Sequence, residues 1–148
     1  MARRTSRPRR TPAAPRAPRV TAQSPCPCGL PAAYGECCGR FHAGTAAAPT
    51  AELLMRSRYS AFVVLDTAYL LRTWAPATRP DPLELDPAMR WTGLEIEGAT
   101  DGTAFHSTGT VTFTARYAHG SDEGALRERS TFERLDGAWV YRDGTFLD

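Results

Sequence analysis

Four cysteines fall within residues 26–38, as Cys26-Pro-Cys28, eight intervening residues and the adjacent pair Cys37-Cys38, with His42 close behind. A segment this short, with so many soft ligands and few large apolar side chains, folds around an ion more readily than around a core of its own. Zinc takes thiolate and imidazole ligands in a tetrahedron, and two close pairs joined by a folded-back loop supply them. Gly29, Pro31 and Gly35 provide the bends of that loop. A disulfide framework fits less well, because Cys37 and Cys38 bridge one another only through a strained ring and no export signal is recognisable. The Cys-x-x-Cys spacing of thioredoxin-like redox sites is also missing. Cys26, Cys28, Cys37, Cys38 and His42 give five candidates for four places, and spacing alone leaves Cys38 and His42 as alternatives for the fourth. A site closed by four protein ligands keeps no position for water, so Zn²⁺ is expected to be structural.

The segment in front has a different character. Residues 1–25 hold seven of the 18 basic residues, all of them arginine, with no acid, which leaves the remainder net acidic under an overall charge of +2. Rich in Arg, Pro, Ser and Thr and lacking periodic apolar positions, residues 1–24 are expected to be a disordered tail capable of weak phosphate contacts with nucleic acid or anionic lipid. No apolar run approaches the ~20 residues of a membrane span. The expectation is a chain without a membrane span, resident in the cytoplasm.

Beyond the cysteines, the periodicity separates helices from strands. Thr50 and Asp66 are N-cap residues, and Glu52 lies in the first turn of the helix that Thr50 opens. Apolar residues at 54, 55, 59, 62 and 63 follow a 3.6-residue spacing, so helices are predicted over about 50–64 and 67–74, followed by a Pro-rich loop from Pro76 to Pro87. From Trp91 onward the period is two. Val111, Phe113, Ala115 and Tyr117 alternate with polar residues, and Asp101-Gly102 and Asp136-Gly137 are hairpin signals, so strands near 91–98, 104–118, 125–135 and 138–146 are predicted to form a meander. The fold class is α+β: two helices packed on a curved antiparallel four-stranded sheet, preceded by a zinc knuckle.

The run Cys26-Pro-Cys28-Gly29, then Tyr34-Gly35-Glu36-Cys37-Cys38, resembles the SEC-C motif, a short zinc knuckle also found at the C-terminus of the SecA translocation ATPase. The segment Thr50 to Phe62, with Tyr69-Leu70, Thr73-Trp74, Trp91 to Ile96 and Trp139 to Gly144, resembles the YchJ family of bacterial proteins over about residues 24–146. That resemblance implies a SEC-C-type knuckle over 25–45 and a nuclear transport factor 2-like (cystatin-like) domain over 46–148, in a family with no established biochemical activity. In SEC-C knuckles both adjacent terminal positions act as ligands, which implies Cys38 over His42. Two features depart from the family pattern. Trp74-Ala75-Pro76 lacks the histidine that members commonly place between Trp and Pro, and no cysteine follows Cys38, whereas some members carry a second knuckle.

The Asp136-Gly137 turn predicts pairing of Leu135 with Ala138, Arg134 with Trp139, Phe132 with Tyr141 and Ser130 with Asp143. Glu128 and Asp143 would then stand beside aromatic surface, as acid or base groups with raised pKa or as partners of Arg56, Arg58, Arg127 or Arg129. Tyr59, Trp74, Trp91 and Tyr117 line either a pocket or the core. His106 is predicted on the polar face of its strand. The leading expectation is a non-catalytic adaptor whose knuckle presents a surface to a protein or nucleic-acid partner. Its alternative is a small-molecule-binding protein or enzyme with a pocket between helices and sheet, lined by Arg58, Tyr59, Trp74, Trp91, Glu128, Tyr141 and Asp143. No residue is assigned a catalytic role.

Overall fold

The computed structural model describes residues 19–148. A 3-10 turn, Tyr34–Glu36, leads into the short helix α1 (Cys38–His42), followed by α2 (Ala51–Val64) and α3 (Thr67–Arg72). Strands β1 (Met89–Asp101), β2 (Thr108–His119), β3 (Asp122–Leu135) and β4 (Ala138–Phe146) form one antiparallel sheet in sequence order. Both caps act as expected: Thr50 Oγ1 accepts from Leu53 N at 3.1 Å, and an Asp66 carboxylate oxygen accepts from Tyr69 N at 3.0 Å. None of the described helices is long and apolar enough to cross a membrane.

The core lies between α2 and one face of the sheet, where Leu54, Met55 and Tyr59 meet Val111, Phe113, Ala115, Phe132 and Trp139. Bulges decide which side chains reach it. In β1, Thr92 and Glu97 are extra residues, so Trp91, Leu94 and Ile96 stand opposite Tyr117, Ala115 and Phe113 and all pack toward the core, although 91 and 94 differ in parity. At the far edge, residues 73–75 join β4 through Tyr141 N donating to Thr73 O (2.8 Å) and Ala75 N donating to Tyr141 O (2.7 Å), which covers an otherwise open strand edge.

Asp136 and Gly137 both have positive φ, as a two-residue hairpin turn requires, and the predicted pairs from Leu135–Ala138 to Phe132–Tyr141 form. The predicted Ser130–Asp143 pair does not. A bulge at Arg142 places Asp143 opposite Thr131 and Gly144 opposite Ser130, so Asp143 is exposed. β2 also begins later than predicted, at Thr108. His106 is in the β1–β2 loop rather than on a strand, because its Nδ1 meets Thr103 Oγ1 (2.7 Å) while Gly102 N donates to Thr108 O (3.0 Å), local bonds that replace the ladder.

The expected disordered tail divides at the described boundary, and its residues 1–18 lie outside the described residues. Residues 19–24 are ordered against the knuckle. Gly35 N donates to Ala22 O (2.9 Å), Tyr34 N to Ser24 O (2.8 Å), and Val20 packs against the core.

Candidate metal centre and adjoining cavity

The knuckle is built from two tight turns facing one another. Cys26 and Cys28 flank a turn closed by Gly29 N donating to Cys26 O (3.2 Å), with Gly29 at φ +89, and Cys26 N donates across to Ala32 O (3.0 Å). Cys37 and Cys38 lie where the 3-10 turn passes into α1. All four thiols are free and buried, and their Sγ atoms lie within 4.8 Å of one another. A tetrahedron with Zn–S bonds of ~2.3 Å places its sulfurs about 3.8 Å apart. Cys28 and Cys37 Sγ are 3.7 Å apart, so the donor set fits a closed thiolate site.

The electrostatics agree with that fit. Cys28 and Cys38, by donating hydrogen bonds, hold the Cys26 thiol far below the usual thiol range. Cys26 and Cys28, followed by burial, push Cys38 far above it, and burial followed by Cys26 pushes Cys37 up to about 12. Four sulfurs this close become thiolates together only with a countercharge among them, which is what a soft divalent cation supplies.

His42 lies outside this cluster. Its Nε2 donates to Ser57 O at 2.8 Å, its Nδ1 accepts from the Tyr34 hydroxyl, and its ring packs on Tyr69 with centroids 4.6 Å apart. Burial holds its pKa below the ordinary histidine range, and one neutral tautomer satisfies both hydrogen bonds. His42 thus joins α1 to α2 and α3. Arg56 donates to Cys28 O (2.8 Å), Arg72 to Phe41 O (3.0 Å) and His42 O (2.8 Å), and Ser60 Oγ sits 3.8 Å from Cys26 Sγ. Phe41 enters the main core. None of these cross-links was foreseen: Arg56 was expected to pair with Glu128 or Asp143 but instead meets Cys28 O and Glu52, and serines within a helix read as a solvated face.

On the opposite side of α2, a cavity of about 280 Å³ opens between helix and sheet. Of the predicted pocket residues, Arg58, Tyr59, Trp74, Trp91, Glu128 and Tyr141 line it, and Asp143 does not. Phe146, which the Arg142 bulge brings to this side, lines it while 72% exposed and so stands at its mouth. Phe62 and Ser130 also contribute, unforeseen.

Arg58 is 4% exposed, with its guanidinium in the corner made by Trp74 (4.9 Å) and Tyr141 (4.7 Å), whose rings meet edge to face. Nη1 donates to Leu70 O (2.8 Å) and Thr73 Oγ1 (2.7 Å). Burial lowers Arg58 to about 10, which leaves it cationic at neutral pH. Glu128 Oε1 accepts from the Tyr141 hydroxyl (3.4 Å) and Oε2 from Ser130 Oγ (3.3 Å), and burial raises its pKa above the ordinary glutamate range. Its carboxylate occupies the place a side chain at Gly144 would take, since a Cβ there would lie 1.9 Å from Glu128 Oε1.

Comparison with known proteins decides the family. Residues 50–144 match the family model described as the YchJ middle NTF2-like domain. The chain belongs to the YchJ family. A UPF0225 protein of Streptomyces coelicolor is 69% identical over 124 residues, spanning 84% of this chain and 97% of its own length, and one of Corynebacterium glutamicum is 53% identical, spanning 80% and 94%. The solution structure of a SEC-C motif containing protein from Rhodopseudomonas palustris superposes with TM-score 0.74 at 33% identity, covering 84% of this YchJ-family chain and all of that one. The crystal structure of a SEC-C motif containing protein from Psychrobacter arcticus gives 0.70 at 29%, covering 86% and 85%. The YchJ-family assignment and the α+β, NTF2-like fold expected from sequence are thereby shown, and the cysteine cluster is one that can hold a metal ion.

Proposed function

We propose that this protein is a small-molecule-binding module whose ligand site is the cavity between α2 and the sheet, and that a structural Zn²⁺ on Cys26, Cys28, Cys37 and Cys38 fastens the knuckle against the back of α2. The observation that carries this reading is the cavity itself: aromatic walls from Tyr59, Phe62, Trp74, Trp91 and Tyr141 enclose space onto which Arg58, Glu128 and Ser130 converge. A concave, mostly apolar site with a few convergent polar groups is the usual form of a small-ligand site. His42, committed to Tyr34 and Ser57, leaves Cys38 as the fourth ligand. The free thiols accord with a reducing cytoplasmic setting.

The adaptor reading rested on a closed metal site beside an Arg-rich segment, most of which lies outside the described residues. With the sulfur cluster turned inward and the cavity open, ligand binding becomes the stronger reading. The test is a fragment screen by ligand-detected NMR on the zinc-loaded full chain, with the fluorescence of Trp74 and Trp91 reporting position. Fragments that bind and shift both indoles support the cavity; binding that leaves both unchanged would place the site elsewhere.

A further inference from the structure

The cavity is sparing in its charges, and they are not paired to one another. Arg58 is buried and has no carboxylate within ion-pair distance among the described residues, where the ion pairs lie on other groups. A buried cation without a counter-charge is costly unless something supplies one. Glu128 acts on Arg58 only as a nearby charge, because its carboxylate is anchored on the Tyr141 hydroxyl and Ser130 rather than bonded to the guanidinium. Arg58 therefore has no carboxylate bonded to it, and the walls around it are mostly apolar, with Glu128 and Ser130 as the other polar lining groups.

We propose that the cavity takes a small organic monocarboxylate with an aromatic or branched apolar body, its carboxylate seated against Arg58; this rests on the reading of the cavity as a ligand site. The planar fork of a guanidinium matches a carboxylate in two parallel hydrogen bonds, and contacts with the Trp74 and Tyr141 rings, together with the Nη1 bonds to Leu70 O and Thr73 Oγ1, hold Arg58 in place before a ligand arrives. The 280 Å³ of space lies just below the ~300–1,000 Å³ of drug-sized pockets, which suits one ring with a short chain. Burial disfavours the ionised form of Glu128 relative to an ordinary glutamate, which lessens its repulsion of an incoming anion.

The experiment compares 3-phenylpropionate, 3-phenylpropionamide, 3-phenylpropylamine and toluene on the zinc-loaded full chain, with dissociation constants from Trp fluorescence and NMR shifts of the indole signals. The carboxylate is expected to bind at least tenfold tighter than the amide. Arg58→Met is expected to bring that ratio near one, and Arg58→Lys to keep the carboxylate preferred. An amide or amine that binds as well as the carboxylate in the wild-type protein overturns the anion assignment, whatever the stability of the variants. Toluene separates the two readings: if it shifts Trp74 and Trp91 while no carboxylate preference is found, the cavity is a ligand site of another class. If none of the four compounds binds, the cavity reading falls with the anion.

Discussion

Replacing Cys38 and His42 in turn separates a metal ligand from a structural link, because the two residues are held by different forces. Zinc-finger peptides bind structural zinc with an apparent ~10–16 kcal/mol, so one thiolate of four carries roughly 2.5–4 kcal/mol, about two to three orders of magnitude in affinity. Cys38→Ser should weaken zinc by that factor, with its Sγ belonging to the cluster whose members lie within 4.8 Å. His42→Ala removes hydrogen bonds to Tyr34 and Ser57 at about 1 kcal/mol each and an aromatic contact with Tyr69 of roughly 0.5–1.5 kcal/mol. Its expected cost is about 2.5–3.5 kcal/mol of stability, a fall in Tm of roughly 5–14 °C for a chain this size. The zinc dissociation constant should stay within a few-fold of wild type. Competition against a chromophoric chelator measures the first quantity, and thermal unfolding of the zinc-loaded protein the second. A His42→Ala protein that loses zinc a hundredfold while Cys38→Ser retains it would refute the assignment.

Three further outcomes follow from the cavity and its supports. Glu128 has a folded pKa raised by burial, so its ionisation opposes folding: the penalty is missing below the ordinary glutamate range, grows as pH climbs toward the folded value and is complete above it. Glu128→Gln should therefore raise the denaturant midpoint relative to wild type at neutral pH and leave it nearly unchanged near about pH 4; an equal difference at both would contradict the burial argument. Gly144→Ala should drive the Glu128 carboxylate from its notch, since the new Cβ would stand 1.9 Å from Oε1, and an NMR titration should show the Glu128 pKa falling back toward the ordinary range. Ser57→Ala removes the group 2.6 Å from the buried Tyr69 hydroxyl and should cost about 1–3 kcal/mol, with Tyr69→Phe costing less in the Ser57→Ala background than in wild type. Additive losses in a double-mutant cycle would show the two hydroxyls to be uncoupled.

Much of this architecture is legible in the sequence where the signal is local. Thr50 and Asp66 cap the helices that were expected to start there, and Asp136-Gly137 sets the β3–β4 register for its first pairs. Alternation in β2 identifies Val111, Phe113 and Ala115 as buried. What is not legible depends on the bulges at Thr92, Glu97 and Arg142, because a bulge shifts every later side chain to the other face without a composition of its own. The Arg142 bulge alone removes Asp143 from the cavity and brings Phe146 to it. Likewise, the β1–β2 loop is fixed by bonds between Thr103 and His106 that no period reveals.

Helix α2 escaped a simple reading for a different reason, and that reason joins the two sites. An amphipathic stripe presumes one buried face, whereas Ser57, Arg58 and Ser60 are as buried here as Leu54 and Ala61. At ~100° per residue, positions 56, 57 and 60 share one side of the helix and positions 55, 58, 59 and 62 the other. The first set holds the knuckle, through Arg56 on Cys28 O, the Ser57 carbonyl on His42 and Ser60 beside Cys26. The second set, Met55, Arg58, Tyr59 and Phe62, lines the cavity. Small serines let the knuckle approach the helix closely. The segment Cys26 to Cys38 thus packs on the same helix that carries Arg58, with the cysteine cluster on one side of it and the cavity on the other.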